Sequence, residues 1–243
     1  MSAQPNCSLI VLCRNPGARL GPTLASAAEQ RRAAVEVIVV DQGSTDGTPA
    51  WLEARRDEFA AVLSLPGASR VAAANAGIER ARGDWVHFLR PGDRLAGDGV
   101  VAEVLVWARK TEAGVVVGET ASDSGELRRL PARVNALAGE FAPPAGTFYR
   151  RSLFAENGPF DPDLRVAADY EFQLRLWKGR VRFKPLPIRV AACGAHRPAA
   201  GAWPSWREEV AVRRRYFPLH RSLPWDALGL ARAAWRGLFP ARG

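Results

Sequence analysis

The chain has 243 residues, 47% of them hydrophobic, and carries 34 Lys and Arg against 25 Asp and Glu, a formal net charge of +9. This is enough apolar material for one large α/β domain or two small ones, and it excludes a long disordered chain. No apolar run approaches the ~20 residues of a membrane-spanning helix, and residues 1–6 show no basic segment leading into an apolar stretch, so no secretory signal is expected.

Strand and helix signals alternate through the first half. Ser8–Cys13 reads as a strand and Leu20–Gln30 as a helix. Val35–Val40 is apolar almost throughout, the pattern of a parallel strand buried on both faces. Thr48–Asp57 is a predicted helix, Ala61–Leu65 a short strand, and Arg70–Ala81 a helix stopped near Gly83. Trp85–Leu89 is the next strand, followed by a helix over Asp98–Thr111 and a strand over Gly114–Gly118. This order predicts a doubly wound, parallel sheet.

Beyond residue 120 the pattern changes. Asp123–Gly125 is a turn signal inside a hairpin, and Gly146–Arg150 is β-like. Asp169–Trp177 is a helix with Phe172, Leu174 and Leu176 toward the core. Two short strands, Arg180–Phe183 and Ile188–Ala192, are expected around Pro185 and Pro187, then helices over Trp206–Tyr216 and Trp225–Phe239. No linker separates two independent domains.

Only Lys110, Lys178 and Lys184 are lysines, so 31 of the 34 basic residues are arginine. GC-rich coding accounts for most of that excess, and a phosphate-rich partner is its functional reading. Cys7, Cys13 and Cys193 are odd in number and lack CxxC spacing, which argues against a disulfide framework or a zinc site.

Three segments carry chemistry. Val39–Thr48 runs from a buried strand into two glycines and a helix, and ligands of parallel sheets bind beyond the carboxyl ends of strands. Asp41 at that end reads as a ligand contact, Asp46 as a helix cap. Trp85–Leu95 is a second strand ending in a charged turn, where Asp93 reads equally as a phosphate or metal neighbour or as a cap. In Val166–Glu171, Asp169 and Glu171 lie two residues apart on a helix and point to different faces, so they are no acid/base pair. By composition an acid there is helix-dipole compensation.

The segments Cys7–Asn15, Val35–Thr48, Ala73–Asp93, Pro144–Asp161 and Leu164–Leu176, in that order, resemble those of a family 2 glycosyltransferase. The resemblance covers most of residues 7–217. It implies a GT-A fold: a Rossmann-like, mostly parallel sheet with helices on both faces and a C-terminal acceptor-side extension. It divides the chain into a nucleotide-binding half at 7–118, an acceptor-side half at 119–217, and a C-terminal amphipathic segment at 218–243. The implied activity is inverting transfer of a sugar from a nucleotide-sugar donor to a hydroxyl of a glycan or lipid-linked acceptor, in polysaccharide or glycolipid synthesis. Asp169 would be the general base. Cys13, Asn15, Asp41, Gln42, Arg70, Asn75, Arg90 and Asp93 would bind the donor, with Gly77 at the start of the helix beneath it.

The family also implies a divalent cation, Mg²⁺ or Mn²⁺. Its acidic metal motif, Asp-x-Asp-Asp, stands here as Arg90-Pro91-Gly92-Asp93, so Asp93 is the one acid left to hold a metal, and weak metal dependence is expected. Gln42 stands where the family has a second Asp. Arg90 reads either as a cation on the donor diphosphate or as a solvated loop residue. The alternative to an enzyme is a catalytically weakened relative that binds a nucleotide or glycan. His196, in a late loop with Arg197, reads as a surface residue or a diphosphate contact. Trp225, Leu228, Ala231, Trp235 and Leu238 share one side of a C-terminal helix flanked by Arg232 and Arg236. That helix packs on the domain or on a second subunit, or lies on a membrane. A cytoplasmic protein is expected, with peripheral contact at the inner membrane face as the third use of that helix. No motif points to specific nucleic-acid binding.

Overall fold

The computed structural model describes residues 5–122, 125–130, 142–194 and 202–238. Strand β1 (Cys7–Cys13) is buried at every position, and its alternate side chains feed two different cores. Ile10 and Leu12 face one layer, Leu9 and Val11 the other. Strand β2 (Val35–Asp41) divides the same way, with Ile38 and Val40 against Val39. Parallel strands covered on both faces must read as unbroken apolar runs, because no side of the pleat is left to water.

The first layer is built by helices α3 (Arg70–Arg80), α5 (Ser152–Asn157) and α6 (Ala168–Lys178). The second is built by α1 (Leu20–Ala28), α2 (Thr48–Glu53) and α4 (Val100–Thr111). Between them lies one nine-stranded sheet. The remaining strands are β3 (Ala61–Ser64), β4 (Trp85–Leu89), β5 (Arg94–Leu95), β6 (Val115–Ser122), β7 (Leu127–Arg128), β8 (Thr147–Arg150) and β9 (Phe183–Cys193). The order is β3-β2-β1-β4-β8-β6-β9-β5, with β7 paired to β6. Strands β1, β2, β3, β4, β6 and β9 point one way, and β5, β7 and β8 run against them.

The sheet is therefore mostly parallel, and it departs from a simple doubly wound pattern in its three antiparallel strands. β8 inserts antiparallel between β4 and β6, pairing His87 with Phe148 on one side and Val116 with Phe148 on the other. The two strands expected around Pro185 and Pro187 form the single strand β9, whose register against β6 shifts between Val117 and Glu119. The helix expected over Thr48–Asp57 ends at Glu53. Gly77 lies inside α3 rather than at its start. A Cβ there would meet Ile10 Cγ2 at 2.6 Å, so the glycine lets α3 sit directly on β1. The β6–β7 hairpin forms, and Asp123 of its turn lies outside the described residues.

Helices α7 (Ala202–Tyr216) and α8 (Leu219–Leu238) pair with each other through buried charge. Arg213 Nε donates to Asp226 Oδ1 at 2.8 Å, and both side chains are over nine-tenths buried. Among the described residues no helix is long and apolar enough to cross a membrane.

Candidate active site

The carboxyl ends of β1, β2 and β4 lie side by side, and the loops leaving them hold one another. Asp41, the last residue of β2, is 3% exposed. Its carboxylate accepts the Ser44 N–H at 3.1–3.2 Å and the Ser44 hydroxyl at 2.5 Å, with the Cys13 thiol at 3.8 Å. Burial and the neighbouring Asp41 push the Cys13 thiol up to about 12, so it stays a neutral donor. Asn15, at φ +46°, accepts the backbone N–H of Thr45 at 2.7 Å, and its own N–H donates to Ser44 Oγ at 2.8 Å. Asp46 accepts from Thr48 N at 3.0 Å, but it lies one residue ahead of Gly47, which stands at the N-cap of α2 in place of the expected Asp46. Gln42 Nε2 donates to Ala68 O at 3.2 Å, while Gly43, at φ +85°, packs where a Cβ would strike Pro66. The geometry brings Cys13, Asn15, Asp41 and Gln42 together, and it occupies each in building a rigid double loop.

Asp93 is buried and closes its own turn, its Oδ2 accepting the Arg90 N–H at 3.0 Å. Thr23 Oγ1 accepts the Gly92 N–H at 2.9 Å, tying the turn to α1. Among the described residues no group of three or more His, Cys, Asp and Glu side chains could hold a metal ion. His87, close by on β4, directs Nδ1–H to Thr147 O at 2.9 Å, and burial pushes its pKa down to about 4. A buried aspartate already spent on its own turn, beside a neutral imidazole, does not fit a resident divalent cation that prefers several oxygen ligands.

Asp169 enters from the far side of the sequence, in the first turn of α6, with 15% of its side chain exposed. Arg70, at the start of α3, donates to its Oδ2 at 2.7 Å, and a guanidinium nitrogen of Arg90 stands 3.8 Å from the same oxygen. Burial pushes the carboxyl pKa up, but the charges of Arg70 and Arg90 and the Arg70 hydrogen bond outweigh it and hold the group below its ordinary value. Asp169 is thus an anion held between two cations.

Glu171 faces away, as expected: its carboxylate pairs with Arg175 at 2.7 Å and accepts from the Tyr216 hydroxyl. Asn75 does not join the cluster through its amide, which clasps the Phe160 backbone in both directions, donating to O at 2.9 Å and accepting from N at 3.1 Å. His196 and Arg197 lie outside the described residues.

Sequence reasoning missed Glu208. From α7 it accepts the N–H groups of Arg165, Val166 and Ala167 at 2.8–3.1 Å, directly ahead of α6. Nothing in the spacing signals a partner forty residues away. Arg70 did carry a signal, since a cation in the first turn of a helix opposes the dipole unless an anion answers it.

The family model for glycosyl transferase family 2 matches residues 8–167. An uncharacterized glycosyltransferase of Mycobacterium tuberculosis is 33% identical over 248 residues, covering 98% of this chain and 92% of that protein. Staphylococcus aureus TarS 1–349 in complex with UDP-GlcNAc superposes with a TM-score of 0.72 at 18% identity, over 93% of this chain and 71% of that one. The Pyrobaculum calidifontis mannosyltransferase PcManGT, in complex with GDP-Man and Mn²⁺, gives 0.65 at 20%, over 96% and 76%.

Replacing Glu208 by Ala leaves three N–H groups without their carboxylate. The expected loss is about 1–2 kcal/mol of stability, typical of a removed cap. Urea unfolding checks it, and an unchanged midpoint contradicts it.

Proposed function

The chain belongs to glycosyl transferase family 2, and we propose that it transfers a sugar from a nucleotide-sugar donor to an acceptor hydroxyl with Asp169 as general base. The observation that carries this reading is the position of Asp169, an ionised, partly exposed carboxylate flanked by two arginines. In the reaction, the acceptor oxygen bonds to the anomeric carbon while the bond from that carbon to the diphosphate oxygen breaks. The hydroxyl proton passes to Asp169 and the nucleoside diphosphate leaves. A single in-line displacement of this kind inverts the anomeric configuration.

The donor class rests on the family and on the fold shared with proteins solved with UDP-GlcNAc and GDP-Man. Residues 7–118 would form the donor side and 119–217 the acceptor side. Cys13, Asn15, Asp41 and Gln42 would present the double loop to the nucleoside. Their hydrogen bonds to the loop residues Ser44, Thr45 and Ala68 support a preformed edge rather than four independent ligands. The rival reading, binding without turnover, gains only if no donor is consumed.

The acceptor is proposed to be a glycan or a lipid-linked glycan. Three of the seven exposed large hydrophobic residues of the described chain, Leu219, Leu223 and Leu230, share one face of α8. Arg221 is exposed on the same helix, and Lys178 sits over Phe217 at its start. An apolar helix face with basic neighbours suits the interface of an anionic bilayer.

Two outcomes are expected. Asp169→Asn keeps the shape and cannot take a proton, so turnover falls ~10²–10⁴-fold with a working donor and acceptor. Near wild-type turnover in that variant contradicts the base assignment. The protein sediments with phosphatidylglycerol vesicles and not with phosphatidylcholine vesicles, and the double change Leu223→Glu, Leu230→Glu abolishes this. Equal sedimentation of wild type and variant contradicts the membrane reading, and a wild-type dimer that dissociates in the variant assigns the face to a second copy.

A further inference from the structure

Arg70 and Arg90 converge on one carboxylate oxygen from two separate elements, α3 and the turn after β4. Two guanidiniums within 4 Å of one carboxylate oxygen gather positive charge at the edge of the sheet where ligands of such folds bind. The two contacts are unequal. Arg70 makes a hydrogen bond at 2.7 Å with its side chain 27% exposed, whereas Arg90 stands at 3.8 Å, beyond hydrogen-bond reach, and is 39% exposed. The backbone of Arg90 is fixed. Its N–H donates to Asp93 Oδ2, and its carbonyl accepts the Asp93 N–H at 2.8 Å. Only its side chain has freedom to swing. A guanidinium forks onto phosphate oxygens more strongly than it holds a carboxylate across 3.8 Å.

On the reading that the protein binds a nucleotide sugar, we propose that Arg70 and Arg90 form the diphosphate site in place of a metal ion, and that Asp169 occupies this site until the donor arrives. The donor phosphates and the Asp169 carboxylate compete for the same cations. Seating the donor draws Arg90 onto phosphate and leaves Asp169 with one cation instead of two. The carboxylate becomes a stronger base only when a donor is in place, so donor binding precedes acceptor activation. The poor fit of Asp93 to a cation follows from the same arrangement, because the positive charge already comes from side chains.

The test is calorimetric titration of the full chain with UDP, GDP, dTDP, CDP and ADP in EDTA. Wild type is expected to bind at least one of them. Asp169→Asn removes the internal competitor and should bind that nucleotide about 10-fold tighter, a gain that a merely structural role would not produce. Arg90→Gln should bind about 10-fold weaker, with Arg90→Lys between, since lysine keeps the charge and loses the fork. Urea unfolding confirms that each variant is folded, and if Arg90→Gln is not, Arg90→Lys and Asp169→Asn decide. Equal affinities across the set overturn the proposal and leave the nucleotide-sugar reading standing. So does binding that disappears in EDTA and returns with Mn²⁺. A wild type that binds none of the five, with or without Mn²⁺, overturns both.

Discussion

A single carboxylate oxygen joins three parts of the chain. Asp169 Oδ2 meets Arg70, 99 residues earlier, and Arg90 from a third element. Taking an anion into a site this enclosed is costly unless cations compensate it, and here two do. That constraint fixes where α6 begins relative to α3 and the turn after β4. It also holds Asp169, which meets both arginines, below its ordinary carboxyl pKa. Glu208 braces the same point from α7, receiving the backbone N–H groups just before α6. The position of the candidate base is therefore determined by charge at its tip and by a carboxylate at its root.

The two-sided core holds this arrangement in place. β1 and β2 bury both faces, so helices must cover each layer, and α3 is drawn close enough that Gly77 has no room for a side chain above Ile10. The aromatic group Tyr149, Phe154, Phe160 and Phe172 packs β8, α5 and α6 together. Asn75 clasps the backbone of Phe160 from α3. Helices α3 and α6 are thus joined through one packed layer, and a displacement of either would open the Arg70–Asp169 contact.

Much of this was legible because it is local. The apolar runs of β1, β2 and β4 announce buried parallel strands, and Asp41 stands out at the end of one of them, whereas Asp169 read locally as dipole compensation and took its site role from the family resemblance. What could not be read depends on partners far away in sequence. β8 is short and ordinary, and nothing in Thr147–Arg150 says that it runs antiparallel between β4 and β6. The clasp of the Asn75 amide on the Phe160 backbone, 85 residues on, gives no signal in the sequence. Asp93 reads evenly as ligand or helix cap, and its hydrogen bond runs back to Arg90 N and closes its own turn, while Gly99 stands at the N-cap of the next helix. Two prolines suggested a break in β9, yet a register shift against β6 absorbs them.

The account turns on whether the Asp169 carboxylate responds to an occupied diphosphate site. Carbon-13 NMR of Asp169, assigned with the Asp169→Asn spectrum, measures this directly in the free protein and with saturating nucleoside diphosphate. The account predicts a carboxyl pKa below the ordinary aspartate range in the free protein, and a higher value once the diphosphate has drawn Arg90 away. An ordinary pKa in the free protein, or one that stays where it was when the nucleotide binds, would contradict it.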